Sequence, residues 1–222
     1  MGRRGIGTWV PWLCSGAVRN VTAVSKGGAM ARPRDDSITE AVVDATRQLC
    51  GEIGYRNLTM EALAARAGTT KPAIRRRWPS LRHVVVDAMT RDNVSMAVPD
   101  TGSTRSDLIV LVEELRVSMG DVMLGRILPA LVVDLSDDGD LRRRFLDSVW
   151  RPRRERADRI LRRGVERGEL RADLDFELAQ DLLAATVIYR FLFAHADLDP
   201  ALSEHIVDYV LRGIAAGPTE SS

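Results

Sequence analysis

The sequence predicts an all-α protein in which a small N-terminal unit of three helices, containing a helix–turn–helix, precedes a larger helical domain. Two observations predict this fold. Apolar residues recur at helical spacing in one segment after another, from Ile38 to Ile214. The ends of these segments carry residues that favour helix starts and stops, such as Thr59 and Thr70 at starts and Gly68 at a stop.

The composition is that of a chain with its own core and no strong overall charge. The 222 residues are 45% hydrophobic and carry a formal net charge of +1. This balance suits one or two domains and argues against non-specific coating of nucleic acid. Cys14 and Cys50 lie in unrelated contexts without metal-binding or redox spacing, so we expect reduced thiols in the cytoplasm.

The first part of the chain differs from the rest. Residues 1–34 hold basic but no acidic side chains and show no helical period. We expect a disordered basic extension there, with translation starting at Met30. A signal peptide is the alternative, but Pro11 interrupts its short apolar run. The remainder divides into the three-helix unit at 35–82, the larger helical domain at 83–216 and a tail at 217–222.

The first helix of the three-helix unit has recognisable ends. Ser37 and Glu40 have the spacing of a capping box, which predicts a helix start at Ser37. Gly54 ends the helix, and Tyr55 is interpreted as a plug in the core. The role of this helix is to hold the next two in place.

The stretch 59–80 is typical of two short helices joined by a tight turn. Pro72 falls in the first turn of the second helix, where its missing N–H costs nothing. Ile74 and Trp78 share one face of that helix and are expected to point inward. Pro79 forces Trp78 out of helical geometry and ends the helix.

The outward face of this second helix favours a DNA groove. No acidic residue occurs from Ala62 to Val86, a window rich in arginine. Small side chains let the backbone approach base edges, and flanking cations meet the phosphates. The alternative is a solvated basic helix anchored by a tryptophan. The candidate DNA contacts are Thr59, Thr69, Thr70, Lys71, Pro72, Ala73, Arg75, Arg76, Arg77 and Arg82.

These motifs make residues 38–87 resemble the N-terminal domain of the TetR family of bacterial transcriptional regulators. The resemblance lies in the type of first helix, in Ala67-Gly68 after the second helix, and in the aromatic-Pro-Ser sequence at 78–80. The family usually has Tyr where Arg75 stands and His where Arg77 stands, and both replacements keep a phosphate donor. Where the family usually has a Lys after the Pro-Ser pair, this chain has Leu81. Arg82 or His83 can supply the phosphate contact that is lost.

The resemblance implies a function and a set of partners. It implies a homodimer that binds a near-palindromic double-stranded DNA operator, represses transcription and is released by a small-molecule effector. It implies neither a cofactor nor an enzymatic activity. His83, His195 and His205 lack metal-type spacing, and no catalytic set or metal site is recognised. The alternatives are an all-helical small-molecule-binding protein or enzyme with an incidental helix–turn–helix, and a DNA-coating protein without an effector.

Five further helices are predicted after the one that opens at residue 80 or 81. They span 107–119, 121–135 with a break at Pro129, 140–167 with a bend at Pro152, 176–196, and a last helix with Pro200 in its first turn. The arginines of 140–167 alternate with acids within helical reach. A salt-bridged solvent face is therefore favoured over a second nucleic-acid patch.

The helix at 176–196 predicts a dimer interface because it is apolar around almost its whole circumference. It is too short and too interrupted to span a membrane. Burial on all sides requires a partner, and packing with the last helix into a four-helix bundle would supply it. An ordinary monomer core is the alternative. The candidate interface residues are Leu182, Leu183, Val187, Arg190, Ile206, Tyr209 and Val210.

An effector pocket is expected where methionine and aromatic side chains gather in the larger domain, since such side chains suit apolar ligands. A plain core is the alternative interpretation of the same residues. Few charges fall on the inward faces, so we expect an uncharged or weakly polar ligand. The candidate pocket residues are Met89, Met119, Met123, Phe145, Trp150 and Phe191.

Overall fold

The computed structural model describes residues 33–91 and 97–214. In these ranges the chain forms ten α-helices: α1 (Pro33–Glu52), α2 (Met60–Arg66), α3 (Lys71–Arg75), α4 (Leu81–Thr90), α5 (Thr104–Ser118), α6 (Leu128–Asp137), α7 (Gly139–Phe145), α8 (Arg151–Glu166), α9 (Phe176–Phe193) and α10 (Leu202–Ile214). The all-α prediction is confirmed. The Met30 start, the tail at 217–222 and nearly all of the N-terminal extension lie outside the described residues, although Pro33 and Arg34 already belong to α1.

Helix α1 starts earlier than the sequence pattern indicated. It begins at Pro33, so Ser37 and Glu40 lie inside the helix and the predicted capping box is wrong. Proline suits the first helical turn because the N–H it lacks has no partner there. At the other end Gly54 comes shortly after the last helical residue, as the predicted stop requires, and adopts a positive φ of 80°, which favours glycine.

The predicted caps of the helix–turn–helix are confirmed. The Thr59 hydroxyl accepts a hydrogen bond from the Ala62 N–H at 3.1 Å, and the Thr70 hydroxyl accepts one from the Ala73 N–H at 3.3 Å. Gly68 between them has φ 61°. These local interactions cap both helices and shape the turn between them.

Helix α4 connects the three-helix head, formed by α1 to α3, with the helical body that follows. It packs on α1 on one side and on α7 and the turn after α7 on the other. In the body, α5 packs against α8, α9 and α10. Pro129 lies in the first turn of α6, and a short π-helical segment (Val122–Arg126) precedes it, so the predicted break is found. Gly125 is required in that segment because an added Cβ would lie 1.9 Å from the Met119 carbonyl oxygen.

Helices α7 and α8 form one rod that is interrupted by a π-helical turn at Leu146–Trp150. Pro152 follows this turn in the first turn of α8. Proline has no N–H to donate to the carbonyl four residues earlier and its ring crowds that carbonyl, which favours the wider turn. At the bend predicted near Pro152 the helix therefore forms a π turn, which holds one residue more than an α-helical turn.

The described helices include none that is both long enough and apolar enough to cross a lipid bilayer.

Candidate functional site

The outward face of α3 is available to a large ligand. Ile74 and Trp78 are buried, at 0% and 2% exposure, while Pro72, Arg75 and Arg76 are exposed. The helix therefore has the orientation predicted from its sequence.

The cations around α3 differ in what they already contact. Arg76 forms no ion pair with any residue in the described ranges, and Arg75 forms none either. Lys71 pairs with Glu61, and its hydrogen bond holds the pKa of that carboxyl below its usual range. Arg77 is half-buried and donates to the Ala73 carbonyl at 2.9 Å. Arg75 and Arg76 are thus the exposed cations of this face that no described carboxylate engages in an ion pair.

The remaining predicted DNA contacts surround this face. The exposed Thr59 and Thr70 use hydroxyl oxygens as helix caps, which leaves each O–H free to donate to a phosphate. Thr69 and Ala73 are half-buried. Arg82 is about half exposed and pairs with Asp134 of α6 at 3.0 Å, so it is engaged with the body.

A cluster around Asp87 joins the end of α3 to the body. The Trp78 indole N–H donates to Asp87 Oδ2 at 2.7 Å. Arg144 of α7 donates to both oxygens of the same carboxylate, at 2.7 Å and 2.6 Å. We call these three residues the Asp87 cluster. A bidentate guanidinium–carboxylate pair fixes geometry as well as charge, so the end of α3, α4 and α7 are held together.

Two smaller contacts support the same junction. The Tyr55 hydroxyl donates to Asp134, which gives this half-buried residue a role that the core-plug interpretation missed. Burial, followed by this hydrogen bond, raises the pKa of Tyr55. His83 lies between Ser80 at 2.9 Å and Asp140 at 3.2 Å. The His83 hydrogen bond and Arg143 lower the pKa of Asp140.

The body contains a cavity of about 640 Å³ between α5, α8 and α9, with Met89 of α4 also in its wall. Three of the six predicted pocket residues line it, namely Met89, Met123 and Trp150. Met119 and Phe145 are buried elsewhere in the core and Phe191 is partly buried, and none of these three is in the cavity wall. The structure thus brings together half of the predicted set.

The cavity wall holds more charge than the sequence analysis expected. Its charged residues are Glu113, Glu114, Asp121, Arg153, Arg154 and Arg156. The expectation of few charged residues on the inward faces is therefore wrong, because helical phase alone did not show which side chains fold back over the cavity. Arg156 is 6% exposed and pairs with Glu114 at 2.9 Å.

Gln180 of α9 is a further wall residue that the sequence analysis missed. It is 8% exposed, and its side-chain oxygen has no hydrogen-bond partner in the described part of the chain. The available signal was an amide within an otherwise apolar helix.

The predicted interface residues fall on two different sides of α9 and α10. Leu183 and Val187 are buried inside this chain, at 2% and 0% exposure, and Ile206 is buried at 6%. They do not lie on the outer surface, as the interface prediction required. Leu182 is 46% exposed and Tyr209 is 74% exposed. Val210 and Arg190 are half-buried, and Arg190 donates to the Asp197 carbonyl at 3.0 Å.

The outer surface of α9 carries additional apolar side chains. Leu178, Tyr189 and Phe193 are 55%, 57% and 67% exposed. A groove of about 800 Å³ runs between the Leu178 and Leu182 side of α9 and α10. Contiguous exposed apolar surface of this kind marks an interaction site.

The fold and these surfaces define a class of protein: a helix–turn–helix DNA-binding regulator whose head is joined by one helix to a body with an internal cavity. Residues 42–86 match the family of bacterial regulatory proteins called tetR, and residues 98–210 match the tetracyclin repressor-like C-terminal domain. The chain belongs to the TetR family of transcriptional regulators. This confirms the resemblance and favours the regulator over a helical protein with an incidental helix–turn–helix.

Individual relatives match over most of their length. The chain is 28% identical over 192 residues to YdeS, an uncharacterized HTH-type transcriptional regulator of Bacillus subtilis, covering 86% of this chain and 96% of that one. It is 29% identical over 184 residues to the DNA-binding transcriptional repressor TetR of Mycobacteroides abscessus, covering 80% and 94%. The crystal structure of the TetR family regulator SCO0332 has 29% identity and a TM-score of 0.68, covering 80% and 98%.

Proposed function

We propose that this regulator is a cytoplasmic repressor that binds a near-palindromic DNA operator as a homodimer and leaves it when a small molecule occupies the cavity. The observation that carries the proposal is the exposed face of α3, where Arg75 and Arg76 form no ion pair with any described residue, attached to a cavity-bearing body. The head is assigned to residues 35–82 and the effector and dimerisation domain to 83–216.

The DNA step follows from the shape of α3. Pro72 and Ala73 leave room for the helix backbone near base edges in the major groove, and Arg76 points the same way. Arg75 lies on the flank, where a phosphate is the nearer partner. Two such heads in a dimer would contact successive major grooves, ~34–36 Å apart.

A second copy of the chain is proposed as the partner of α9 and α10. Leu178, Leu182, Tyr189 and Phe193 form an apolar strip on the outside of α9. Pairing this strip with its copy would remove it from water and complete a four-helix bundle. The interface is therefore proposed on these residues and Tyr209, with Leu183 and Val187 behind it in the core.

The release step uses the position of α4. Met89 is in the cavity wall, and Asp87, two residues earlier, holds Trp78 and Arg144. Residues two apart on a helix point to nearly opposite sides, so a ligand that displaces Met89 also moves the anchor of the DNA-reading helix. Moving the population from 1:99 to 99:1 requires a preference of roughly 5.5 kcal/mol for the released state.

The first test is a gel shift of the full chain against the DNA upstream of its own gene, titrated with salt. We expect one fragment to form a sharp dimer complex with a steep salt dependence. Arg76→Ala should weaken discrimination between operator variants. Arg75→Ala should weaken binding to all DNA and reduce the salt slope by about one unit. Equal, weak binding to every fragment would contradict the proposal.

The Lys71–Glu61 pair offers a second test of the same face. Glu61→Gln releases Lys71 and removes a negative charge beside α3, so DNA affinity should rise a few-fold at low salt. Asp173→Asn is the matched control, because it removes one charge from an exposed Arg171–Asp173 pair in the body. An equal rise in both variants would mean that only net charge matters and that Lys71 does not contact DNA.

A further inference from the structure

The polar groups in the cavity wall are almost all satisfied within the chain. Glu114 pairs with Arg156, and Glu113 accepts from both Arg116 and Ser203. Arg154 pairs with Asp181 at 2.5 Å. The wall therefore contains charges, yet these carboxylates and guanidinium groups already have partners of opposite charge.

Two further polar wall groups also have partners within the chain. The Asp121 carboxylate accepts from the Met123 N–H at 2.6 Å, and the Ser118 hydroxyl donates to the Leu115 carbonyl at 2.7 Å. The rest of the wall is largely apolar, from Leu111 and Leu115 on α5 to Ala184 and Ile188 on α9.

Two polar atoms of the wall have no hydrogen-bond partner among the described residues, Arg156 Nε and Gln180 Oε1. Arg156 still pairs with Glu114 through its terminal nitrogens, so Gln180 is the wall residue whose acceptor is left without a donor. Its side chain is 8% exposed, and its amide oxygen is buried without any hydrogen-bond donor. An unsatisfied buried acceptor is costly, and native proteins rarely keep one without a reason. In a cavity of about 640 Å³, a bound molecule is the natural source of the missing donor.

We propose that the cavity takes an uncharged, mainly apolar molecule with one hydroxyl or N–H group, which donates a hydrogen bond to Gln180 Oε1. This inference rests on the proposed effector role of the cavity and specifies the chemical class of the effector. The volume suits a molecule of drug-like size.

The wall disfavours charged ligands for a simple reason. A carboxylate has no donor to offer Gln180, and it would lie near Glu113 and Glu114. A cation would need a carboxylate, but Glu113 and Glu114 already pair with arginines. The third wall carboxylate, Asp121, is exposed to solvent. Burying an ion without its own partner costs far more than burying a hydroxyl that is hydrogen-bonded.

The test compares two probes that differ only in the donor, 4-hexylphenol and its methyl ether 4-hexylanisole, with 4-hexylbenzoate as the charged probe. Binding to the full chain is measured by calorimetry and by the fluorescence of Trp150 in the wall. We expect the phenol to bind about tenfold more tightly than the ether and the benzoate most weakly, because only the phenol satisfies Gln180.

The variant Gln180→Met removes the acceptor while keeping the length of the side chain. We expect the phenol and the ether to bind it within about twofold of each other. Gln48→Met on the exposed side of α1 is the control and should retain the wild-type ratio. The comparison of probes on the wild-type protein does not depend on whether the variant folds.

Each contrary outcome overturns the inference. Equal affinity for phenol and ether, failure of both to bind, or tighter binding of the benzoate would exclude the proposed ligand class. A preference for phenol that persists in Gln180→Met would assign the acceptor to another group. A gel shift separates the two proposals. If the phenol binds as expected but does not release DNA, the effector role alone is refuted. If both probes release DNA equally well, only the ligand class is refuted.

Discussion

The two sides of helix α9 have similar composition but opposite environments. The inner side presents Leu183 and Val187, which are 2% and 0% exposed, together with Gln180. The outer side presents Leu182 and Tyr189, which are 46% and 57% exposed. Both sides are apolar, and only the fold shows which one belongs to the chain's own core.

The difference shows what an apolar circumference means. It establishes that a helix needs burial partners on every side. It does not show which partner is intramolecular, because leucine and valine satisfy a core and an interface equally well. Substitutions on the two sides should therefore separate folding from assembly.

The largest effect is expected from Val187→Asp. The carboxylate would be buried without a partner, at a cost of about 4 kcal/mol or more, a large part of the 5–15 kcal/mol that stabilises a typical domain. Chemical denaturation followed by circular dichroism should show loss of the cooperative transition or a much lower midpoint. Val133→Asp, the same change at a position of α6 that is 56% exposed, is the control and should fold. A wild-type midpoint for Val187→Asp would contradict the assignment of the inner side.

The next effect concerns assembly. Leu182→Glu combined with Tyr189→Glu places charges on the outer side. The dissociation constant of the dimer should therefore rise by at least about a hundredfold, while the helical content of the protein is unchanged. Sedimentation should detect monomers, and operator binding should weaken accordingly. Val132→Glu with Val133→Glu, on an exposed part of α6, makes the same kind of change away from α9. Dimers that persist in the α9 variant, or that are lost in both variants, would argue against the proposed interface.

The smallest effect tests the polar residue on the inner side. Gln180→Met removes a buried acceptor that has no donor, so the free energy of unfolding without ligand should stay the same or rise by up to about 1 kcal/mol. Gln48→Met, on the surface, should change it by no more than about 0.5 kcal/mol. A loss of 2 kcal/mol or more in Gln180→Met would show that the amide has a structural role in the empty protein.

The head was more predictable from the sequence than the body for a physical reason. Its caps at Thr59 and Thr70, its stop at Gly68 and the inward Trp78 depend on residues within a few positions of one another. Helix propensity and capping act locally, so the pattern carries the answer. The sequence pattern placed the start of α1 too late because a proline and a serine both suit a helix start.

The cavity depends on packing between segments far apart in the chain. Met89, Trp150 and Gln180 meet only because α4, the turn before α8, and α9 come together. Hydrophobic period indicated that methionines face inward, but not which of them line a cavity and which fill the core, as Met119 does. The pairing of Arg156 with Glu114, 42 residues away, was likewise beyond any local pattern.

The π turn at Leu146–Trp150 also sets the phase between the two halves of the rod formed by α7 and α8. Val149 is 1% exposed and its neighbour Trp150 is half-buried in the cavity wall, so two adjacent residues of this turn face inward. One extra residue rotates everything after it by roughly 100° relative to an uninterrupted helix. Arg144 therefore contacts Asp87 beside the head while Arg156 lies in the cavity wall. Deleting a single residue from this turn would rotate α8 relative to α7. Arg144 and Arg156 could then no longer reach Asp87 and the cavity wall at the same time.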